Sequence, residues 1–118
     1  MWVYEKRLQF PVNIKRPDPK AAQIIISQYG GPDGEMGASM RYLSQRYSMP
    51  DNKVAGLLTD IGTEELAHLE IVATMVHQLT RNLTPEQIMN SGFAPYYTDH
   101  TVGVWPQAAG GIPFNACE

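Results

Sequence analysis

Apolar positions along the chain fall into two helical stretches, flanked by segments with no steady period. The clearer stretch covers about 50–81. There Val54, Leu58, Ile61, Glu65, His68, Val72, Met75 and Leu79 follow one another at alternating steps of four and three. This is the seam by which helices pack in bundles, and it is apolar except at Glu65 and His68. Pro50 and Asp51 suit the first turn of this helix, with Ser48 as the expected N-cap. A second helical pattern covers about 19–47, but Gly30, Gly31, Pro32 and Gly34 predict a break near 30–34. Asp18 is placed to cap its first piece and Pro19 to sit in the first turn, and that piece should reach about Tyr29. The second piece resumes at Glu35 and carries Met36, Met40, Leu43 and Tyr47 at helical spacing, a stripe expected in the core. Thr84-Pro85-Glu86-Gln87 opens one more short helix with a capping box.

The flanks read differently. Residues 1–17 mix aromatics and charges without helical period and suggest an extended arm, either a strand or a strap over a neighbour. Residues 91–118 are rich in glycine, proline and aromatics (Phe93, Tyr96, Tyr97, Trp105, Phe114) and look like a long crossover connection or a wrap around a partner. The fold class is therefore all-α, in one domain, since 118 residues are too few for two. Two helices and a tail cannot cover an apolar seam from Val54 to Leu79, so an oligomer or a partner chain is expected.

Composition narrows the function. A hydrophobic fraction of 43% and a net charge of −3 fit a globular protein and give no push toward nucleic acid. No apolar run is long enough to span a membrane, and the N-terminus has no signal-peptide pattern. A lone cysteine, Cys117, cannot form an internal disulfide and fits a reducing compartment such as the cytoplasm.

The candidate chemistry lies at Glu65-Leu66-Ala67-His68. Glu at i and His at i+3 share a helix face, here the seam itself. A buried carboxylate costs several kcal/mol unless something neutralises it, and a metal ion does so directly. In ferritin-like dimetal bundles two helices each give a Glu and two others each give an E-x-x-H. This chain offers one of each: Glu35, and Glu65 with His68. Small residues at Gly34, Gly37, Ala38 and Ser39 would let another backbone or a ligand come close. A plainer reading pairs Glu65 and His68 with Arg41 or Arg46 across the helix interface. Glu64 and Glu70 lie off the seam, facing water or a flank, and His77 reads as a surface residue. His100 and Cys117 supply too few ligands for zinc. No Gly-Lys-Ser/Thr follows the glycine-rich stretch, so it is not a phosphate loop. Ser39, Ser44 and Ser48 have no histidine partner to activate them.

Four stretches, "MWVYEKRLQFPV", "QYGGPDGEMGASMRYLSQRY", "GLLTDIGTEELAHLE" and "AAGGIPF", give the chain a close resemblance to the manganese catalases. Within that family it is most similar to the CotJC-type spore coat proteins of endospore-forming bacteria. The resemblance covers nearly the whole chain. It implies a ferritin-like four-helix bundle holding two manganese ions and disproportionating hydrogen peroxide to water and oxygen. By the same resemblance Glu35 matches the first-helix carboxylate ligand, Glu65 the bridging carboxylate and His68 the histidine ligand. Tyr42 matches a tyrosine that stands near the cluster without binding metal, so Glu65 and Tyr42 are the catalytic candidates. The same donors bind iron, which keeps a diiron oxidase or storage protein as an alternative. A structural coat or assembly subunit with an incomplete metal site is another. The family continues into a second helix pair with a further Glu and His, so this chain is expected to be half a bundle. A second copy, a separate chain with the other helices, or other coat proteins would complete it, in the cytoplasm or the spore coat.

Overall fold

The structure, a computed structural model, describes residues 3–30 and 33–91. The crossover expected over 91–118, with His100 and Cys117, lies outside the described residues beyond Ser91, as do Gly31 and Pro32. Among the described residues every regular element is helical: α1 is Pro19–Ile25, α2 Glu35–Gln45, α3 Asn52–Thr80 and α4 Pro85–Asn90.

Local chemistry sets most of the boundaries. The Asp18 carboxylate accepts hydrogen bonds from the Lys20 and Ala21 N–H groups at 3.1 Å each, satisfying donors that a helix start leaves unpaired. The expected run to Tyr29 is shorter as α-helix, because after Ile25 the chain tightens into a 3-10 turn over Ile26–Gln28. The turn brings the backbone of Gln28 and Tyr29 against Gly34, where a Cβ would lie 2.9 Å from the Gln28 carbonyl carbon. Only glycine fits there, and α2 starts at the next residue.

The start of α3 corrects the expected cap. The Asp51 carboxylate accepts the Lys53 N–H at 2.7 Å, so Asp51 is the N-cap and the helix begins at Asn52. Ser48 instead closes the 3-10 turn after α2 by donating to the Gln45 carbonyl at 3.0 Å. At the other end Asn82 takes a left-handed backbone (φ 58°), a conformation that asparagine tolerates better than most residues. The Thr84/Gln87 capping box forms as expected, with Gln87 N–H on Thr84 Oγ1 at 3.2 Å and Thr84 N–H on Gln87 Oε1 at 2.9 Å.

α2 and α3 form an antiparallel hairpin. Ser39, 3% exposed, donates its hydroxyl to the Gly62 carbonyl at 2.6 Å, and Leu43 packs on the bare face of Gly62. The arm is a strap over its own α3, not a strand. Gln78 accepts the Ile14 N–H at 2.7 Å and donates to the Val12 carbonyl at 2.9 Å. Arg81 holds the Ile14 carbonyl at 2.8 Å, and the Asp18 N–H meets the Leu79 carbonyl at 2.8 Å. Nearer the N-terminus, Gln9 donates to Glu64 and Tyr4 to Glu70, so these off-seam glutamates serve the flank that carries the arm.

The core sits where arm, α1 and α3 meet. Ala22, Ile26, Val72, Val76 and Leu79 are buried, with Ile14, Ala21, Ile25 and Tyr29 packed around them. The seam from Val54 to Leu79 is thus not open along its whole length, since the chain's own arm and α1 cover the C-terminal part. Val54 and Leu57 remain 40% and 56% exposed. The stripe on α2 departs from expectation. Met36 and Met40, and Tyr47 in the 3-10 turn after α2, are exposed, because α2 turns Ser39 and Leu43 to its neighbour α3 and no helix among the described residues covers that flank.

Candidate metal centre

α2 enters the hairpin with Glu35 in its first turn, and α3 passes the same level between Glu65 and His68. Three donor atoms, one each from Glu35, Glu65 and His68, lie within 4.8 Å of one another. His68 Nδ1 is 2.9 Å from Glu65 Oε2 and 3.9 Å from Glu35 Oε2. The one-turn spacing of Glu65 and His68 explains the first contact, and the hairpin supplies the second. The side chains are 13%, 27% and 35% exposed for Glu65, Glu35 and His68, so the cluster is half-sheltered and opens on one side.

Two carboxylates this close cannot both carry full charge at no cost. A hydrogen bond to Glu65, burial and the Glu65 charge hold Glu35 above the usual carboxylate range. The same interaction, seen from Glu65, holds Glu65 below it, against an upward push from burial, with the His68 ring adding to the lowering. A cation between the two carboxylates would relieve the same repulsion. Two carboxylates and an imidazole are a hard, oxygen-rich donor set with one nitrogen, which suits manganese or iron in their divalent states. The residues present therefore fit a metal of that class.

Glu65 and His68 pair with each other and His68 with Glu35, and Arg46, one of the two arginines of the plainer reading, stacks over the Tyr47 ring at 5.1 Å. Tyr42 is half-buried, two turns along α2 from Glu35 and so on the same side of that helix, roughly 10 Å away along the axis. His77 is exposed, as expected. Glu64, half-exposed, stands 3.8 Å from His68 Nε2. A groove of about 830 Å³ between arm and α3 is lined by Tyr4, Leu8, Leu66 and Glu70 among others, and holds none of the three donors. Sequence reasoning missed Gln9, which reaches Glu64 from the arm, since no local pattern reports a partner 55 residues away. It also missed the Ser39–Gly62 contact, although a glycine inside a strong helical pattern was a signal for close approach.

Known proteins share the sequence and, where solved, the arrangement of helices. A family model described as "Manganese containing catalase" matches residues 1–116. Protein CotJC of Bacillus subtilis (strain 168) is 54% identical over 116 residues, which cover 98% of this chain and 61% of that protein. A manganese catalase of Bacillus subtilis is 31% identical over 128 aligned residues, covering 98% of this chain and 47% of that one. The crystal structure of KatB, a manganese catalase from Anabaena, superposes with a TM-score of 0.78 at 28% identity, over 99% of this chain and 52% of KatB. The chain thus spans about half the length of the relatives it matches, and its helices correspond to part of a ferritin-like bundle. By sequence and by fold, the chain belongs to the manganese-containing catalase family.

Proposed function

We propose that this chain supplies half the ligands of a dimanganese centre that disproportionates hydrogen peroxide, in a protein associated with the spore coat. The observation that carries the reading is the meeting of Glu35, Glu65 and His68 within 4.8 Å. Glu35 would bind one ion, Glu65 would bridge the pair, and His68 would ligate through Nδ1, the ring nitrogen that faces both carboxylates. The bound metal pair would supply the two-electron capacity to reduce one peroxide to two waters and oxidise another to oxygen. The chain's own part is to hold the donors and to shelter them with seam neighbours such as Ile61 and Val72. Tyr42 would stand behind the ligands, and Glu64 is a local carboxylate that could accept a peroxide proton.

Three donors are half of a dimetal carboxylate set. The remaining two Glu and one His would come from other helices, either in a second copy or in a further polypeptide segment. That shortfall also favours a second reading, a structural coat subunit whose metal site stays incomplete. The test is elemental analysis and native mass of the purified protein, followed by oxygen evolution from manganese-loaded protein beside a His68→Ala variant. Manganese near two ions per completed bundle, with activity lost in the variant, supports the catalase reading. Equal rates in both proteins would assign the oxygen to free manganese and leave the structural reading. Iron at the same stoichiometry would favour the diiron alternative.

A further inference from the structure

Hydroxyl side chains in α3 follow one habit. Thr59, Thr63, Thr74 and Thr80 each donate to the carbonyl four residues back in their own helix, at 2.7–3.0 Å. Such bonds tie a side chain down without linking anything new. Ser39 does otherwise. It is 3% exposed, and its hydroxyl crosses from α2 to the Gly62 carbonyl of α3 at 2.6 Å. That carbonyl lies inside a continuous helix and already accepts its own helical N–H, so Ser39 adds a second donor to it. The crossing is possible because Gly62 has no side chain: a Cβ would stand 2.8 Å from Leu43 Cγ and 3.3 Å from the Leu43 backbone nitrogen.

The place of this contact matters more than its strength. Glu35 is four residues before Ser39 and Glu65 three residues after Gly62. In an antiparallel pair both steps run in the same direction, by about 6 and 4.5 Å at 1.5 Å per residue. The link therefore sits one turn from the point where Glu35 meets Glu65 and His68. We infer that Ser39 is a positioning residue for the metal centre: its bond to Gly62 fixes the axial register and spacing of α2 against α3, and so the separation of Glu35 from Glu65. The inference rests on the reading of these three residues as metal ligands. Groups hydrogen-bonded directly to metal ligands commonly change affinity ten- to a hundredfold when removed, and Ser39 acts one step further out, through the spacing of the two helices that carry the ligands.

Two variants test it from opposite directions. Ser39→Ala removes the link and leaves the Gly62 carbonyl with its helical partner. Gly62→Ala keeps the hydroxyl but drives a methyl group into Leu43, parting the helices while raising helix propensity. Ser44→Ala, an exposed serine on the same helix, is the control. The readouts are Mn²⁺ affinity by calorimetry, the electron paramagnetic resonance spectrum of bound Mn²⁺, and the thermal midpoint of the metal-free proteins. The expected result is at least a tenfold loss of Mn²⁺ affinity and an altered spectrum in both test variants, with Ser44→Ala like the parent. Gly62→Ala also crowds Leu43 and should lower the thermal midpoint, whereas Ser39→Ala adds no bulk and should shift it less, so the loss of affinity in Ser39→Ala separates loss of position from loss of fold. Both variants binding Mn²⁺ within twofold of the parent, with the parent's spectrum, would overturn the positioning role while leaving the metal site intact. A parent protein that binds no Mn²⁺ would overturn the site reading and this inference together.

Discussion

The two ends of α3 share one seam and differ in how far the chain closes over them. From Val72 to Thr80 the helix is covered: α1 packs on it, the arm is bonded to it through Gln78 and Arg81, and Val72, Val76 and Leu79 are buried. From Val54 to His68 it packs against α2, the arm touches it only at its flank through Gln9 on Glu64, and Val54 and Leu57 stay in contact with solvent. The ionisable donors lie in this open stretch. Stability and candidate chemistry are thus divided along a single helix. The covered end can hold the chain in shape while the open end keeps groups that a closed apolar core would not tolerate unpaired. Regions of low local burial are also where proteins open first and bind most readily.

The contrast is sharpest for truncations of apolar side chains. Leu79→Ala at the covered end should cost about 2–5 kcal/mol in urea unfolding, the usual range for a buried leucine. Leu57→Ala at the open end should stay within about 0.5 kcal/mol. Similar losses at both sites would mean that the open end is covered in solution, and native mass would then identify the cover. Metal addition should reverse the asymmetry, since the proposed ligands all lie toward the open end. Mn²⁺ at a hundredfold excess over Kd should raise stability by about 2.7 kcal/mol, and His68→Ala should abolish that gain without much change to the metal-free protein.

A smaller effect is expected from Glu65→Leu. In the metal-free chain it removes a half-sheltered carboxylate from beside Glu35 and extends the apolar seam, so it should be neutral or stabilising by about 1 kcal/mol, while Mn²⁺ no longer stabilises. A marked loss of stability in the metal-free variant would show that the carboxylate supports the fold. The smallest effect is in pH. Glu35 is held above the usual carboxylate range, chiefly by its hydrogen bond to Glu65, and it must be an anion to bind metal. Mn²⁺ affinity should therefore start to fall at a pH above that range as the solution is acidified, with proton release on binding at the pH where Glu35 is still protonated. Calorimetry in two buffers of different ionisation enthalpy measures that release.

Much of this was legible in the sequence because it is local. Asp18 and the Thr84/Gln87 box cap their helices as read, and the seam spacing put Glu65 and His68 on one face. What escaped was set by distance or by competition. Ser48 and Asp51 both suit an N-cap, and only the observed backbone decides that the carboxylate takes the Lys53 N–H. The stripe of Met36, Met40 and Tyr47 has core spacing, but which flank of α2 is covered depends on where α3 lies. The cluster of small residues at Gly34, Gly37, Ala38 and Ser39 did announce a close approach. It did not say that the approach would be to Gly62.

The strap formed by the arm has a consequence for the order of assembly. Its bonds to α3 join residues 55–67 positions apart, whereas Ser39 and Gly62 are 23 apart. Closing the longer loop costs about 0.9 kcal/mol more in chain entropy by logarithmic scaling. The α2–α3 hairpin is therefore the first tertiary unit that the chain can form, and contacts of low sequence separation generally form fastest. The arm is laid down last and lifts first. In amide exchange the protection of Ile14 should be lost before that of the hairpin, the expected result if Glu35, Glu65 and His68 are brought together before the arm has docked along α3.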